Sequence, residues 1–96
     1  MSGGHFDYDQ YKIGYIADSI EQLIWDNSSK EVDEWSDSVG HGYTEATISE
    51  FRTALRMLRR AEIYAQRIDW LVSGDDGEDT FNKRLAHDLA AESDKA

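Results

Sequence analysis

The stretch from Thr44 to Gly74 constrains the fold most, because it has the pattern of one long helix. Thr44 is a typical N-cap residue and Gly74 stands where a C′ glycine is expected. Apolar residues recur at steps of three and four, and so share one face: Phe51, Leu55, Leu58, Ala61, Ala65, Ile68 and Val72. A helix from Glu45 to Ser73 is about 43 Å long. This exceeds the width of a compact domain of 96 residues.

Two shorter helices are predicted beside it. The first runs from about Asp9 to Asp26, capped by Asp7 or Asp9, and the third from about Glu78 to Ala91. Their buried stripes are Ile13, Ile16, Ile20, Leu23 and Ile24 in the first, and Phe81, Leu85 and Leu89 in the third. Gly14 either marks a close approach to another backbone or is simply tolerated within the first helix.

The chain contains no proline and little β-type alternation, which favours an all-α fold. We expect an antiparallel helical hairpin built on the long central helix, with a short C-terminal helix, associating into a bundle. One domain should span residues 1–96, with a leader at 1–8, an acidic loop at 27–43 and a frayed tail at 92–96.

The net charge of −10 argues against direct binding to DNA or to anionic membranes. An acidic protein can instead bind a basic partner or mimic a nucleic acid; the simpler interpretation of the charge is solubility. The sequence has no cysteine, no apolar run near the roughly 20 residues of a membrane helix, and no signal-peptide pattern. These features indicate a cytoplasmic protein.

Acidic residues surround one tryptophan in the predicted loop. They are Glu31, Asp33, Glu34 and Asp37, and the tryptophan is Trp35. A long connection in a small domain is often functional. We therefore expect Trp35 and the four acids to bind a partner protein with a basic surface. The alternative is that Trp35 packs over the ends of the helices.

Basic residues concentrate on the long helix. Arg56, Arg60, Tyr64 and Arg67 follow one another at steps of four, four and three, so they share a face. Guanidinium groups grip oxyanions and a tyrosine ring can stack on a base, which suits a small anionic or nucleotide-like ligand. The alternative is that these arginines only pair with Asp18, Glu21 or the acidic loop.

No metal or cofactor site is expected. His5, His41 and His87 fit no ligand pattern, and the GDDGED segment lacks the order of an EF-hand loop. Pyrophosphatases of the MazG type hold magnesium with two carboxylate pairs. Asp18 and Glu21 supply one pair, but Glu62 and Asp69 are seven residues apart and do not form the second. We therefore predict no enzymatic activity, with MazG-like hydrolysis as a minority alternative.

The apolar surface of the long helix is broader than one stripe, because it also includes Met57, Ile63, Tyr64, Trp70 and Leu71. Either the first and third helices both cover it, or a second copy of the chain does. Ala54, Ala61 and Ala65 would permit close helix approach. We predict a homodimer through this helix.

Two blocks, GGHFDYDQYKIGYIADSIEQLI and YAQRIDWLVSGDDGEDTFNKRL, resemble a family of short phage and bacterial proteins without an assigned activity. The resemblance implies a phage-encoded accessory protein that acts by binding host components, including defence systems. It carries over no catalytic residue. The residues allow a second interpretation, in which Gln66, Arg67 and Asp69 bond to the leader backbone around His5 to Tyr8. Packing and ligand binding both explain this block.

Overall fold

The computed structural model describes residues 6–28 and 40–94, and over these ranges it is all-helical, with no strand. Helix α1 spans Gln10–Asp26, α2 spans Glu45–Val72 and α3 spans Glu78–Asp94. The all-α prediction is confirmed. Helices α1 and α2 match their predicted bounds to within one residue. Helix α3 continues three residues past the predicted end, so residues 92–94, expected to be frayed, are helical.

Both ends of α2 have the predicted caps. The Thr44 hydroxyl oxygen accepts a hydrogen bond from the Thr47 N–H at 3.4 Å. At the other end Gly74 has φ +86°, which glycine adopts without steric cost. The Gly74 N–H bonds to the Leu71 carbonyl at 3.2 Å and the Asp75 N–H to the Trp70 carbonyl at 2.8 Å. This pair of bonds is a Schellman motif, and it ends the helix.

Helix α1 begins differently from the prediction. Within the described chain neither Asp7 nor Asp9 caps it through its side chain; the Asp9 carboxylate instead pairs with Lys12 Nζ at 3.2 Å. The backbone enters α1 through two residues with positive φ, Asp7 at +51° and Tyr8 at +66°. The Asp9 N–H bonds to the Phe6 carbonyl at 2.9 Å and closes this turn. A left-handed turn therefore replaces the expected cap.

Helices α1 and α2 pack as the predicted antiparallel hairpin. Gln10 bonds to Gln66 near one end, and Asp18 bonds to Arg59 further along α1. Gly14 lies between them, and a Cβ there would overlap the carboxylate of Glu62. The close approach at Gly14 is thus to a side chain and not to another backbone.

Helix α3 also packs on α2, and it does not contact α1, so the described helices form a single layer. The molecule measures 52 × 28 × 14 Å, and its shortest dimension is little more than one helix diameter. Among the described residues, the only buried apolar side chains are Ala17 and Ile48. A single layer of helices leaves much of its apolar surface uncovered.

The far end of the predicted apolar stripe of α2 lies open. Ile68 and Val72 are 38 % and 53 % exposed, and Met57 is 65 % exposed. Phe51, Leu55 and Leu58 are half-buried. Neither α1 nor α3 therefore covers the whole of this helix. None of the described helices is long and apolar enough to cross a membrane.

Candidate functional site

The residues expected to bind a protein partner, Glu31, Asp33, Glu34, Trp35 and Asp37, lie outside the described residues. The chain on either side of them is held together by a pair of hydrogen bonds. The Asn27 amide donates to the Tyr43 carbonyl at 3.1 Å, and the Tyr43 N–H donates to the Asn27 side-chain oxygen at 2.8 Å. Gly40 packs so closely on the Asp26 carbonyl that a Cβ would overlap it. This clamp brings both flanks of the acidic segment to one end of the hairpin.

Aromatic side chains extend the clamp onto α2. The His41 and Tyr43 rings stack with centroids 5.1 Å apart, and Tyr43 meets Phe51 edge-on at 5.7 Å. Such pairs contribute about 0.5–1.5 kcal/mol beyond their buried area. The connection is therefore anchored to the first turns of α2 through Tyr43.

The four residues of the predicted arginine and tyrosine stripe do not form one binding site, because Arg67 is bonded to other residues of the same chain. Arg67 Nε donates to Asp88 Oδ2 at 2.7 Å, and its guanidinium carbon lies 4.7 Å from the centroid of the Trp70 ring. Its Nη1 is 3.8 Å from an oxygen of Asp76. These contacts join α2 to α3. The alternative that the arginines pair within the chain therefore holds for Arg67. Its main partner is Asp88 on α3 and not Asp18, Glu21 or the acidic loop.

The other three members of the stripe are exposed. Arg56 donates to the Thr53 hydroxyl at 3.4 Å, and neither Arg56 nor Arg60 has an acidic partner within the described part of the chain. Tyr64 is 41 % exposed. As far as the described residues go, two guanidinium groups therefore lie along one side of α2 without a carboxylate partner.

A groove of about 630 Å³ runs over α2 between α1 and α3. Its apolar floor includes Leu55 and Ile63, and Arg56 lies along it. Trp25, at the rim, is 77 % exposed, the highest value among the large apolar side chains described. An exposed indole beside an apolar groove is a candidate contact for a partner, because tryptophan is enriched at protein interfaces. Of the predicted stripe, only Arg56 lines this groove.

The carboxylates Asp18 and Glu21, considered above as metal ligands, both face Arg59. Arg59 Nη2 donates to Asp18 at 2.7 Å and lies 3.8 Å from Glu21. Glu62 completes the surroundings at 3.9 Å. The hydrogen bond to Asp18 raises the pKa of Arg59 against a smaller opposing effect of burial, and the three carboxylate charges act in the same direction. The cationic partner of this carboxylate pair is thus an arginine.

The described residues supply no second set of ligands. Over residues 6–28 and 40–94, no group of three or more histidine, cysteine, aspartate or glutamate side chains is placed to hold a metal ion. The MazG-like alternative rests on the Asp18 and Glu21 pair alone.

The block from Gln66 to Asp69 ties the leader to α2. Asp69, only 3 % exposed, accepts the Phe6 N–H at 3.0 Å and the Gln10 amide at 3.3 Å. The same Gln10 amide donates to Gln66 at 2.7 Å. The predicted bond to the leader backbone is confirmed for Asp69. It is wrong for Gln66, which bonds to a side chain of α1, and for Arg67, which turns to α3.

Sequence reasoning missed the acceptors around α3. Asp76 is buried and accepts a hydrogen bond from Arg84 at 2.9 Å, while Asp88 holds Arg67. Helical periodicity relates positions within one helix, so it gave no signal for contacts between α2 and α3. The exposure of Trp25 could have been predicted from the sequence. Trp25 is off the apolar stripe of α1 and on the same face as the polar residues Glu21 and Gln22.

Comparison with known proteins gives no match to a protein-family model, a curated protein or a solved structure. The resemblance of the two sequence blocks to phage and bacterial proteins therefore stays a prediction.

Proposed function

We propose that this is a small acidic binding protein that occupies a basic site on a host protein and inhibits it. The observation that supports this proposal is that many arginines form ion pairs with carboxylates of the same chain. Arg52, Arg59, Arg67 and Arg84 each meet a carboxylate of the same chain. Ten basic residues face twenty acidic ones, so a large surplus of negative charge remains for a partner. That surplus would steer association with a basic surface.

The acidic segment is the proposed contact. Glu31, Asp33, Glu34 and Asp37 present the charge, and Trp35 serves as the anchor, as aromatic residues often do at the centre of an interface. The clamp between Asn27 and Tyr43 supports this role, because fixed flanks reduce the entropy lost on binding. The setting we propose is a phage-encoded protein in the host cytoplasm, directed against a defence or nucleic-acid-binding component.

The test is capture of partners from host lysate, comparing two charge-reversal variants with the same change in net charge. One carries Asp33→Lys and Glu34→Lys in the acidic segment. The matched control carries Asp75→Lys and Asp79→Lys, both exposed near the start of α3. We expect the first variant to lose a captured protein that the control retains, and added salt to weaken capture. Equal capture by both variants would contradict the assignment to the acidic segment.

A second candidate is capture of a small anionic or nucleotide-like ligand. It is favoured by Arg56 and Arg60, which have no acidic partner within the described residues, and by the place of Arg56 in the groove. Arg67 adds little to such a site, because Asp88 and Trp70 hold it. A nucleotide that co-purifies with the protein and is lost in Arg60→Ala, with no protein partner, would make this function the better one.

We further propose that the protein acts as a homodimer. A chain whose described core contains Ala17 and Ile48 alone as buried apolar side chains gains little stability from its own packing. Light scattering at tens of micromolar should give twice the 11.0 kDa monomer mass. The monomer mass at that concentration would refute self-association.

A further inference from the structure

We infer that a second copy of this chain covers the apolar side of the α1–α2 hairpin opposite the groove, so that two copies share one four-helix core. This inference rests on the homodimer proposed above and assigns its surface. We call this surface the back face. Its members are Ile16 and Leu23 on α1 and Met57, Ala61, Ile68 and Val72 on α2.

The spacing of these residues places them on one side of the hairpin. On α2, Met57, Ala61 and Ile68 follow at steps of four and seven, the spacing of a helix–helix seam. On α1, Ile16 and Leu23 are also seven residues apart. Ile13 of α1 and Ala65 of α2 line the same pocket. The two rows of apolar residues therefore lie on the same side of the antiparallel hairpin. The rows therefore form one surface across both helices.

The exposure of the back face is large for a single chain. Ile16 is 54 % exposed, Met57 is 65 % exposed and Val72 is 53 % exposed. Helix α3 does not reach them, because it packs on the side of α2 that carries Arg67 and Trp70. Two helices thus present apolar side chains that no described part of the chain covers.

The chain as a whole exposes more surface than a compact monomer of its mass. The chain exposes 6929 Å², whereas a compact monomer of its mass, 11.0 kDa, exposes about 5,600 Å². Its radius of gyration is 17.2 Å, against about 12.5 Å for a compact domain of this length. The excess over the whole surface is about 1,300 Å² per chain. If two chains buried all of it, they would bury about 2,600 Å², which falls in the range of obligate homodimers.

The charge distribution selects a second copy over a basic partner. Two chains that each carry −10 repel one another, so a face without charge is the most favourable place for them to associate. On α2, none of the back-face residues from Met57 to Val72 is charged. The same holds for the back-face side of α1 between Ile16 and Leu23. A basic protein would find no carboxylate in these rows; two carboxylates outside them, those of Asp7 and Asp9, line the pocket beside Ile13 at one end of the hairpin. Salt should therefore strengthen the dimer, whereas it weakens binding of a basic partner.

The first test is sedimentation velocity on Met57→Glu, with Trp25→Glu as the matched control. Both side chains are largely exposed in the single chain, but Trp25 lies at the rim of the groove. We expect Met57→Glu to weaken dimerisation at least about a hundredfold, because a symmetric interface buries the new charge twice. Trp25→Glu should remain a dimer. Equal dimerisation of both variants would overturn the inference.

The second test does not depend on how Met57→Glu folds. The chain has no cysteine, so a single introduced thiol reports its own burial. At tens of micromolar, Ala61→Cys on the back face should be alkylated at least about tenfold more slowly than Tyr15→Cys, and this difference should disappear on dilution. Tyr15 is 69 % exposed and does not belong to the back face. Equal alkylation rates at high concentration would overturn the inference.

The outcomes separate this inference from the proposal on which it rests. A native chain of monomer mass refutes the homodimer and the back-face assignment together, and leaves binding to a basic partner intact. A native dimer in which Ala61→Cys reacts as fast as Tyr15→Cys refutes only the assignment of the surface.

Discussion

Replacing Arg67 by alanine should release α3 from α2. Arg67 donates a charge-assisted hydrogen bond of 2.7 Å to Asp88 and lies over Trp70 at 4.7 Å, and its side chain is 14 % exposed. A hydrogen bond between charged groups contributes about 1.5–3 kcal/mol, and a cation–π contact about 0.5–1 kcal/mol. We therefore expect Arg67→Ala to lower the free energy of unfolding by about 2–4 kcal/mol.

The assay is chemical and thermal unfolding at a fixed protein concentration, since a dimer's Tm depends on concentration. For a domain of this size, 1 kcal/mol corresponds to about 4–8 °C, so Arg67→Ala should lower Tm by roughly 10 °C or more. The matched control is Arg60→Ala, which removes the same group where it has no acidic partner in the described chain. This control should change stability by no more than about 0.5 kcal/mol.

A double-mutant cycle between Arg67→Ala and Asp88→Ala should give a coupling energy of about 1–3 kcal/mol, since the two side chains bond directly. Hydrogen exchange should show the loss of protection first in α3, which packs on α2 and not on α1. If Arg67→Ala and Arg60→Ala had equal stability, the fold would not depend on Arg67, and this arginine would return to the candidate ligand site.

Asp69, Gly74 and the carboxylate pair of Asp18 and Glu21 each give a further prediction. Asp69→Ala should lower the free energy of unfolding by about 2–4 kcal/mol and expose the leader to proteolysis, because a buried carboxylate that accepts two hydrogen bonds is removed. Gly74→Ala should lower the free energy of unfolding by about 1 kcal/mol, measured by denaturant unfolding, because its φ of +86° suits glycine. Incubation with nucleoside triphosphates and magnesium should release no pyrophosphate; release abolished in Asp18→Asn or Glu21→Gln would establish the MazG-like alternative.

The helices of this protein were predictable because their signals are local. Thr44 and Gly74 define the ends of α2 by backbone chemistry that acts over four or five residues. The apolar periodicity of α1 and α2 likewise gave their bounds to within one residue. Helix α3 was predicted too short, since its last residues lack a stop signal such as a C′ glycine.

The candidate site was less predictable, because it depends on which helix each side chain meets. Four residues of the arginine and tyrosine stripe share one face of α2, as predicted from their spacing. Arg67 nevertheless differs from Arg60, since Asp88 of α3 lies beside Arg67. Asp18 and Glu21 were possible partners of the stripe. In the structure they pair instead with Arg59, which lies outside the stripe. Helix packing decided the assignment in each case.

Both other helices are bonded to the C-terminal part of α2. This explains why the polar residues Gln66, Arg67 and Asp69 occur within an otherwise apolar part of the helix. Asp69 and Gln66 hold the start of α1, while Arg67 holds α3. Both neighbours are thus attached near one end of α2, and α1 and α3 do not contact each other. Several structural demands on polar side chains therefore meet in this segment, and the bond between Arg59 and Asp18 attaches α1 a second time further along α2. Ile16 and Met57 of the back face and Trp25 at the rim of the groove make none of these bonds, so their side chains can change without breaking the bonds that hold the three helices together.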